Sequence, residues 1–510
     1  MNIIDQDTRL RALDPGFSYC ISAPAGSGKT ELLIQRYLVL LSRVERPEQV
    51  LAITFTRKAA AEMRERVLQA LQDAADGIEC SSDHQQQTRD FALQTLANDA
   101  DRQWNLIRNS AQLNIKTIDS FCSSLTRQMP ILSDFGGQAN VTDYAADLYA
   151  EAVQELFKLT DGDLGIGDDL KALMLHFDND WSRLQDLLTA MLGRREQWGN
   201  YLGVHQRADE AEDYLRHMVE GLVEDALASL TEKMNAYGSE LLTLQNYAAE
   251  QLGVSPLPHF PGSETADLAA WREIRQLLLT ADKAGKWRAQ VNVRMGFPPG
   301  KGQAQEYKDR LKTAISELQE IEGLLQELAS VNSLPEIEGN SESWALVLHL
   351  SRVLPMLSAQ LLLVFQRHGT VDHTQVALSA LQALGDEENP TELALRMDYQ
   401  LQHLLLDEFQ DTAINQYDLI TRLTRGWGEH NNANPDHPRS ITIVGDGMQS
   451  IYGFRAANVG LFLRARQEGF NGVQLEYLNL LSNFRSEEGV VDWVNATFKV
   501  AFPVQDNMGR

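Results

Sequence analysis

Cysteine is scarce: Cys20, Cys80 and Cys122 are the only three among 510 residues. They are widely spaced and odd in number. That excludes a disulfide framework, a cysteine-based metal knuckle or a redox pair, and the thiols are expected to stay reduced. Long apolar runs are missing as well. None reaches the roughly 18 residues of a membrane span, and the first residues, MNIIDQDTRLRAL, hold no apolar signal core. The expectation is a cytoplasmic protein with no membrane contact. Positive charge is in short supply: 45 Lys and Arg against 71 Asp and Glu leave a net charge of −26. Such a chain does not coat nucleic acid by bulk electrostatics, although a local basic or aromatic groove remains compatible with it. Internal repeats and long low-complexity tracts are absent too. What is present is ordinary for a globular protein of about three domains, with 43% hydrophobic residues.

Against that background one stretch stands out, Ser22 to Thr30 (SAPAGSGKT). The apolar run Phe17 to Ser22 predicts a buried strand before it. Glu31 to Ser42 has helical apolar spacing after it. A strand, a glycine-bearing loop and a helix N-terminus form an anion site, because backbone N–H groups and the helix dipole both favour phosphate. Ala23, Pro24, Ala25, Gly26, Ser27 and Gly28 would wrap the phosphates. Gly26 and Gly28 permit a close backbone approach. Lys29 would reach the outer phosphates, and the Thr30 hydroxyl would ligate Mg²⁺. The motif points to a nucleoside triphosphate and to little more.

Five further strands are predicted, and polar residues crowd the ends of four of them. Gln49 to Phe55 leads into Phe55, Thr56, Arg57 and Lys58, then a helix over Ala59 to Leu71. Ligands of open α/β sheets bind at the C-terminal ends of strands. A ring there can stack a base, and hydroxyls and cations can hold a phosphate backbone. Ile115 begins another strand, with Thr117, Asp119 and Ser120 at its end. Gln402 to Leu406 ends in Asp407-Glu408-Phe409-Gln410-Asp411-Thr412. Adjacent carboxylates at a buried strand end repel each other without a cation. Asp407 therefore suits Mg²⁺, and Glu408 suits proton abstraction from an attacking water. Ser440 to Val444 ends in Gly445 to Arg455 (GDGMQSIYGFR), where Gln449 could sense the γ-phosphate and Tyr452 and Phe454 could face a nucleic acid. Leu475 to Leu480 is followed by Ser482 to Ser486 (SNFRS) and a helix from Glu487.

Elsewhere the pattern changes. Asp73 to Asp101 is polar and Gln-rich and predicts an exposed helical excursion. From about 136 to 365 helical periods dominate, as in Leu184 to Leu192, Tyr214 to Leu230 and Tyr307 to Leu328. Loops over Gly253 to Gly262 and Gly296 to Gly302 interrupt them. Trp181, Trp198, Trp271, Trp287 and Trp344 are expected to be packing residues. Glu306-Tyr307-Lys308 has the spacing of half a nuclease motif, but it sits in a helical pattern without an upstream strand-borne Asp. Glu429 to Pro438 (EHNNANPDHP) is expected to be a polar loop, with His430 and His437 exposed.

Taken in order, AxxGxGKT, ITFTRKAAAEMRERV, TIDSF, LLLDEFQDT, VGDGMQSIYGFR and LSNFRS resemble the successive motifs of superfamily 1 DNA helicases of the UvrD/Rep type. The long helical segment looks closer to the RecB/AddA branch. The resemblance covers about 1–135 and 370–510. It implies an α/β phosphate-loop (RecA-like) motor domain with a parallel sheet, carrying a large, mostly helical insertion. The implied layout is 1–135 and 366–474 for the first motor domain, 136–365 for the insertion and 475–510 for the beginning of a second motor domain. The implied activity is ATP-driven 3′-to-5′ translocation on single-stranded DNA, or on DNA with a 3′ single-stranded tail, in repair or recombination. ATP and Mg²⁺ are the implied cofactors. Gln6 resembles the adenine-reading glutamine, Gln449 the coupling residue, and Arg485 the arginine that reaches the γ-phosphate. Phe55 and Phe454 are similar to base-stacking rings, and Thr117 and Ser120 to backbone contacts. Gly447 and Ala456 depart slightly from the family pattern. The family's last motifs, similar to TxHxxKGLE and LxVALTRA, are not in the chain, so a longer protein or a partner nuclease/helicase subunit is expected to supply them. The alternative is a half-motor that binds ATP and DNA without turnover. A phosphate-loop kinase or transporter ATPase leaves DEFQDT and QSIYGFR unexplained.

Overall fold

The structure is a computed structural model and describes residues 4–128, 139–160, 165–199, 208–281, 285–321, 323–335, 342–385, 389–450 and 457–501. The chain divides into two compact units. One comprises 1–148, 194–197 and 363–510, and the other 149–193 and 198–362.

The first unit is built on a six-stranded sheet. Its strands are β1 (Tyr19–Ser22), β2 (Val50–Thr54), β3 (Ile115–Thr117), β6 (His403–Leu406), β7 (Ser440–Gly445) and β8 (Glu476–Asn479). A separate parallel pair joins β4 (Asn140–Thr142) to β5 (Thr370–Asp372). The spatial order is β3-β2-β6-β7-β1-β8, and every pairing in it is parallel. β2, β6 and β7 are buried along their whole length. That is why VLAIT, HLLL and SITIV read as continuous apolar runs rather than alternating ones: a parallel sheet is covered on both faces.

Helices α1 (Gln6–Ala12), α2 (Lys29–Leu41), α3 (Arg57–Asp76), α4 (Asp83–Arg102) and α5 (Ile118–Thr126) belong to this unit. One core gathers Tyr37 and Leu38 of α2, Met63 and Val67 of α3, Ala92 of α4, and Val50, Leu405 and Val444 of the sheet. The fully buried Arg36 completes the inner face of α2. Its two terminal nitrogens donate to the carbonyls of Ala12, Asp14 and Phe17, its face lies 4.8 Å from the Tyr19 ring centroid, and its Nε makes no hydrogen bond among the described residues.

Two expectations need correction here. The segment predicted as an exposed excursion contains α4, which is docked: Ala92 and Thr95 are fully buried, and Thr95 Oγ1 donates to Leu38 O at 2.8 Å. Residues Trp427–Ala433 are helical, whereas the sequence predicts a polar loop from Glu429. The side chain of Asn431 bonds the Arg439 backbone in both directions and folds that stretch back on itself. β8, at the start of the segment 475–510, is hydrogen-bonded to β1 in the same sheet. Among the described residues, one helix, Trp344–His368, is long and apolar enough by length and composition alone to cross a membrane, with a mean hydropathy of 1.6 over its most apolar window, a third of which is buried. Scattered polar residues break its apolar runs. Two of those residues, His349 and Arg352, reach Asp169 at 2.7 and 3.0 Å.

Among its described residues the second unit contains helices and no named strand. Its core joins Leu227 and Leu230 of helix Ala208–Met234, Trp271 and Ile274 of Leu268–Leu278, and Leu311 and Leu318 of Gln303–Leu318. The helix expected over Tyr307 to Leu328 is two helices, Gln303–Leu318 and Leu324–Ser330. Trp271 and Trp344 are buried. Trp181 is partly exposed, and its ring centroid lies 3.7 Å from that of Phe157. Tyr307, of the Glu306-Tyr307-Lys308 triplet, stacks on Tyr247 at 4.1 Å, so it has a packing role.

Candidate nucleotide site

The site forms where β1, β6 and β7 end. Ala23 N–H donates to Gly445 O at 2.9 Å, which fixes the start of the loop beside the end of β7. Ser27 N–H donates to Pro24 O at 3.1 Å. Gly26 and Gly28 both have left-handed backbones, with φ of 82° and 76°. The chain then enters α2 at Lys29, with Thr30 in its first turn.

Facing this loop, β6 delivers Asp407 and Glu408. Glu408 is a non-glycine residue at φ 54°, a conformation that costs about 1 kcal/mol or more for an L residue. The twist comes with specific partners. Glu408 Oε1 receives Lys29 Nζ at 2.5 Å, and its Oε2 receives Gln410 Nε2 at 2.8 Å. The phosphate-loop lysine and the second carboxylate of the DE pair, 379 residues apart, are thus in direct contact. Asp407 has no such cation on it. Burial, and then the neighbouring Glu408 charge, push its carboxyl up to about 6. A bound cation would favour its charged form and draw the carboxyl back down.

That answers whether Mg²⁺ fits. The described residues contain no cluster of three or more His, Cys, Asp or Glu that could hold a metal. Mg²⁺ needs no such cage: one carboxylate, one hydroxyl and substrate phosphates suffice. Asp407 and Thr30 would provide the protein's share.

Gln410 is a site residue that sequence reasoning misses. It is almost fully buried, donates to Glu408, and accepts from Asp446 N–H at 3.0 Å. It therefore ties the end of β6 to the end of β7. The signal available is a neutral amide set between acids, DEFQD. Asp446 in turn accepts from Gln449 Nε2 at 2.6 Å, which links Gln449 to the same network.

The other predicted residues are dispersed. Gln6 is exposed and opens α1. Phe55 lines a small cleft together with Asp407, Glu408, Phe409 and Thr412. Thr56 caps α3 by accepting from Ala59 N–H at 3.1 Å, and Arg57 follows, exposed. Thr117 caps α5, and its hydroxyl donates to Ser120 Oγ at 2.9 Å, so both side chains already hold each other. Tyr452, Phe454 and Ala456 lie outside the described residues. Arg485 is exposed, and the segment that carries it covers the phosphate loop. Phe484 N–H donates to Gly26 O at 2.8 Å. The Phe484 ring lies 5.0 Å from the Arg9 guanidinium. Asp5, Arg9 and Phe484 join the site without any local signal in the sequence.

A parallel sheet with a phosphate loop on one inner strand and an acid pair two strands away defines the phosphate-loop class of nucleotide-binding proteins. Within that class, the UvrD/REP helicase N-terminal domain matches residues 5–469; the chain belongs to the UvrD/Rep helicase family. It is similar to bacterial proteins whose names describe one of the subunits of an ATP-dependent helicase/nuclease. The one from Clostridium beijerinckii is 25% identical over 536 residues, covering 97% of this chain and 39% of that protein. The one from Latilactobacillus sakei is 25% identical over 525 residues, covering 97% and 54%. The one from Moorella thermoacetica is 28% identical over 517 residues, covering 94% and 34%. The chain thus spans between about a third and about half of the length of these relatives.

Proposed function

We propose that the chain is the ATP-hydrolysing part of a DNA helicase that moves 3′ to 5′ on single-stranded DNA, or on DNA with a 3′ single-stranded tail, in repair or recombination. The observation that carries this is the Lys29–Glu408 contact, which joins the phosphate loop to the acid pair of the DEFQDT motif. In this reading the backbone of Ala23 to Gly28 and the Lys29 amine bind the phosphates. Gln6 reads the adenine edge, Asp407 and Thr30 hold Mg²⁺, and Glu408 takes the proton of the attacking water. Mg²⁺, when bound, neutralises charge on the phosphate oxygens. Gln449 links the γ-phosphate to the DNA side through Asp446, and Arg485 approaches the γ-phosphate. Phe55 and Phe454 stack bases, and Thr56, Arg57, Thr117, Ser120 and Tyr452 line the strand's path. The helical unit is read as the insertion of the first motor domain. The relatives are named as parts of a larger enzyme, and a nuclease or helicase partner belongs to this reading.

The acidic net charge agrees with a strand held by stacking and a local groove. ATP hydrolysis by the 510-residue chain, with and without single-stranded DNA, is the test. Stimulated turnover supports the reading, and strand displacement from 3′-tailed against 5′-tailed duplexes then tests the direction. Nucleotide binding without stimulated turnover would instead favour the half-motor. Absence of adenine-nucleotide binding would overturn both.

A further inference from the structure

Outside the acid pair, the most heavily bonded carboxylate at this site belongs to Asp5. Its side chain is 1% exposed. Oδ1 accepts from Arg9 Nε at 3.0 Å and from Ser482 Oγ at 2.7 Å. Oδ2 accepts from Arg9 Nη2 at 3.0 Å, Leu481 N–H at 2.8 Å and Ser482 N–H at 3.1 Å. Two oxygens thus carry five hydrogen bonds. Burial by itself would push this carboxyl up; the bonds from Arg9 and Ser482 outweigh it and hold the group well below the usual carboxylate range.

Those bonds reach three separate pieces of chain. Asp5 immediately precedes α1, whose first residue is Gln6. Arg9, held by both Asp5 oxygens, donates from Nη2 to Ser27 O at 2.8 Å, inside the phosphate loop. Leu481 and Ser482 lead directly into Asn483, Phe484 and Arg485. Asn483 Oδ1 there accepts from the backbone of Arg485 and Ser486 at 2.9 and 3.0 Å. The fit is tight: a Cβ on Gly26 would stand 2.5 Å from Asn483 Oδ1 and 2.8 Å from Arg485 Cβ.

We infer that Asp5 is a positioning residue that holds the adenine-side glutamine, the phosphate loop and the arginine-bearing segment in one register. This rests on the nucleotide-site reading above. Asp5 itself need not touch nucleotide. Its carboxylate fixes where α1 begins and where residues 481–485 cross the loop. The arrangement predicts that base recognition and phosphate recognition depend on Asp5 to different degrees. The phosphate loop keeps its own strand and helix, whereas α1 and the 481–485 segment lose their common anchor.

The test is nucleotide binding by the 510-residue chain, wild type against Asp5→Ala and Arg9→Gln, using ATP, GTP and inorganic tripolyphosphate as ligands. The wild-type chain is expected to prefer ATP over GTP. In Asp5→Ala that preference should fall about tenfold, the equivalent of one charge-assisted hydrogen bond, while tripolyphosphate affinity changes by less than about threefold. Arg9→Gln leaves the Asp5 contacts to 481 and 482 in place but removes the link to Ser27, so it covers the case in which Asp5→Ala does not fold. It should lower the ATP-to-GTP preference in the same sense. A purely structural role lowers the melting temperature and weakens all three ligands together, and that pattern overturns the inference. So does either folded variant that keeps the wild-type preference. A wild-type chain that binds tripolyphosphate but no adenine nucleotide overturns the site reading itself, and this inference with it.

Discussion

Replacing Glu408 by Gln should move catalysis and binding in opposite directions. Gln preserves the size of the side chain and an acceptor for Lys29, but removes the charge. As the base for the attacking water, Glu408 should contribute about 10²- to 10⁴-fold to turnover, so stimulated hydrolysis should fall by about a thousandfold. Binding responds differently because Lys29 is already engaged. Its ammonium sits 2.5 Å from Glu408 Oε1, and an incoming phosphate must draw it away. The two side chains are 16% and 32% exposed, so the pair is partly solvated and is worth about 1 kcal/mol. Glu408→Gln removes that competition and one negative charge facing the phosphates, and ATP affinity should tighten about fivefold. Phosphate release with and without single-stranded DNA gives the first quantity, and calorimetric titration with ATP the second. Turnover within about threefold of wild type would reject Glu408 as the base, which is expected to supply far more. Weakened binding together with lost turnover would reject the competition and make the pair a structural support of the loop.

Asp407, pushed up to about 6 from an ordinary value of 3.8, makes the nucleotide-free chain less stable as pH rises through that value, since the folded state then holds an uncompensated charge. Asp407→Asn should remove this slope and stabilise the chain at pH 7 by at most about 3 kcal/mol, and by less because Asp407 keeps some water contact; denaturant melts at pH 5 and pH 7 measure it, and a parallel slope in the variant would refute it. Gly26→Ala should cost about 1–2 kcal/mol for the left-handed backbone alone, and more for the approach of Asn483. It should also weaken ADP binding, read by melting with and without nucleotide. His373 stands 3.0 Å from Asp119 and 2.9 Å from Asp143, and the Asp119 contact foremost raises its pKa above 6.5. The stability it adds is full below 6.5 and is lost as pH rises through the raised value. The melting-temperature gap between wild type and His373→Gln should therefore close with rising pH, and a constant gap would contradict the pairing.

The sheet is legible in the sequence because parallel strands leave a direct mark. VLAIT, HLLL and SITIV are apolar at every position that matters, and each ends at a polar cluster. The contact between phosphate loop and acid pair could be expected for the same reason, since both motifs lie at strand ends on one edge of one sheet. Other features leave no local mark. α4 reads as a surface helix because small residues, Ala92 and Thr95, do its packing. The helix Trp427–Ala433 follows from the fully buried Trp427 and from Asn431, whose partner Arg439 lies beyond the helix, immediately before β7. β8 belongs to the first sheet because of its register with β1, which no stretch of sequence near 475 announces. Asp5 is unreadable for a plainer reason: besides Arg9, its partners Leu481 and Ser482 lie 476 and 477 residues away.

The strand order also imposes a schedule on the making of this protein. β1, which carries the phosphate loop, has only β7 and β8 as neighbours. Ile441 N–H, at the start of β7, bonds Ser18 Oγ just before β1, across 423 residues. At about 5–20 residues per second of synthesis, that is roughly 20–80 s during which the backbone edges of β1 have no partner of their own. β2 waits nearly as long for β6, while β3 reaches it early. The nascent chain therefore exposes an unpaired strand until β7 has been made. Any product that stops short of about residue 445 keeps the whole phosphate-loop sequence yet lacks the strand against which that loop is folded.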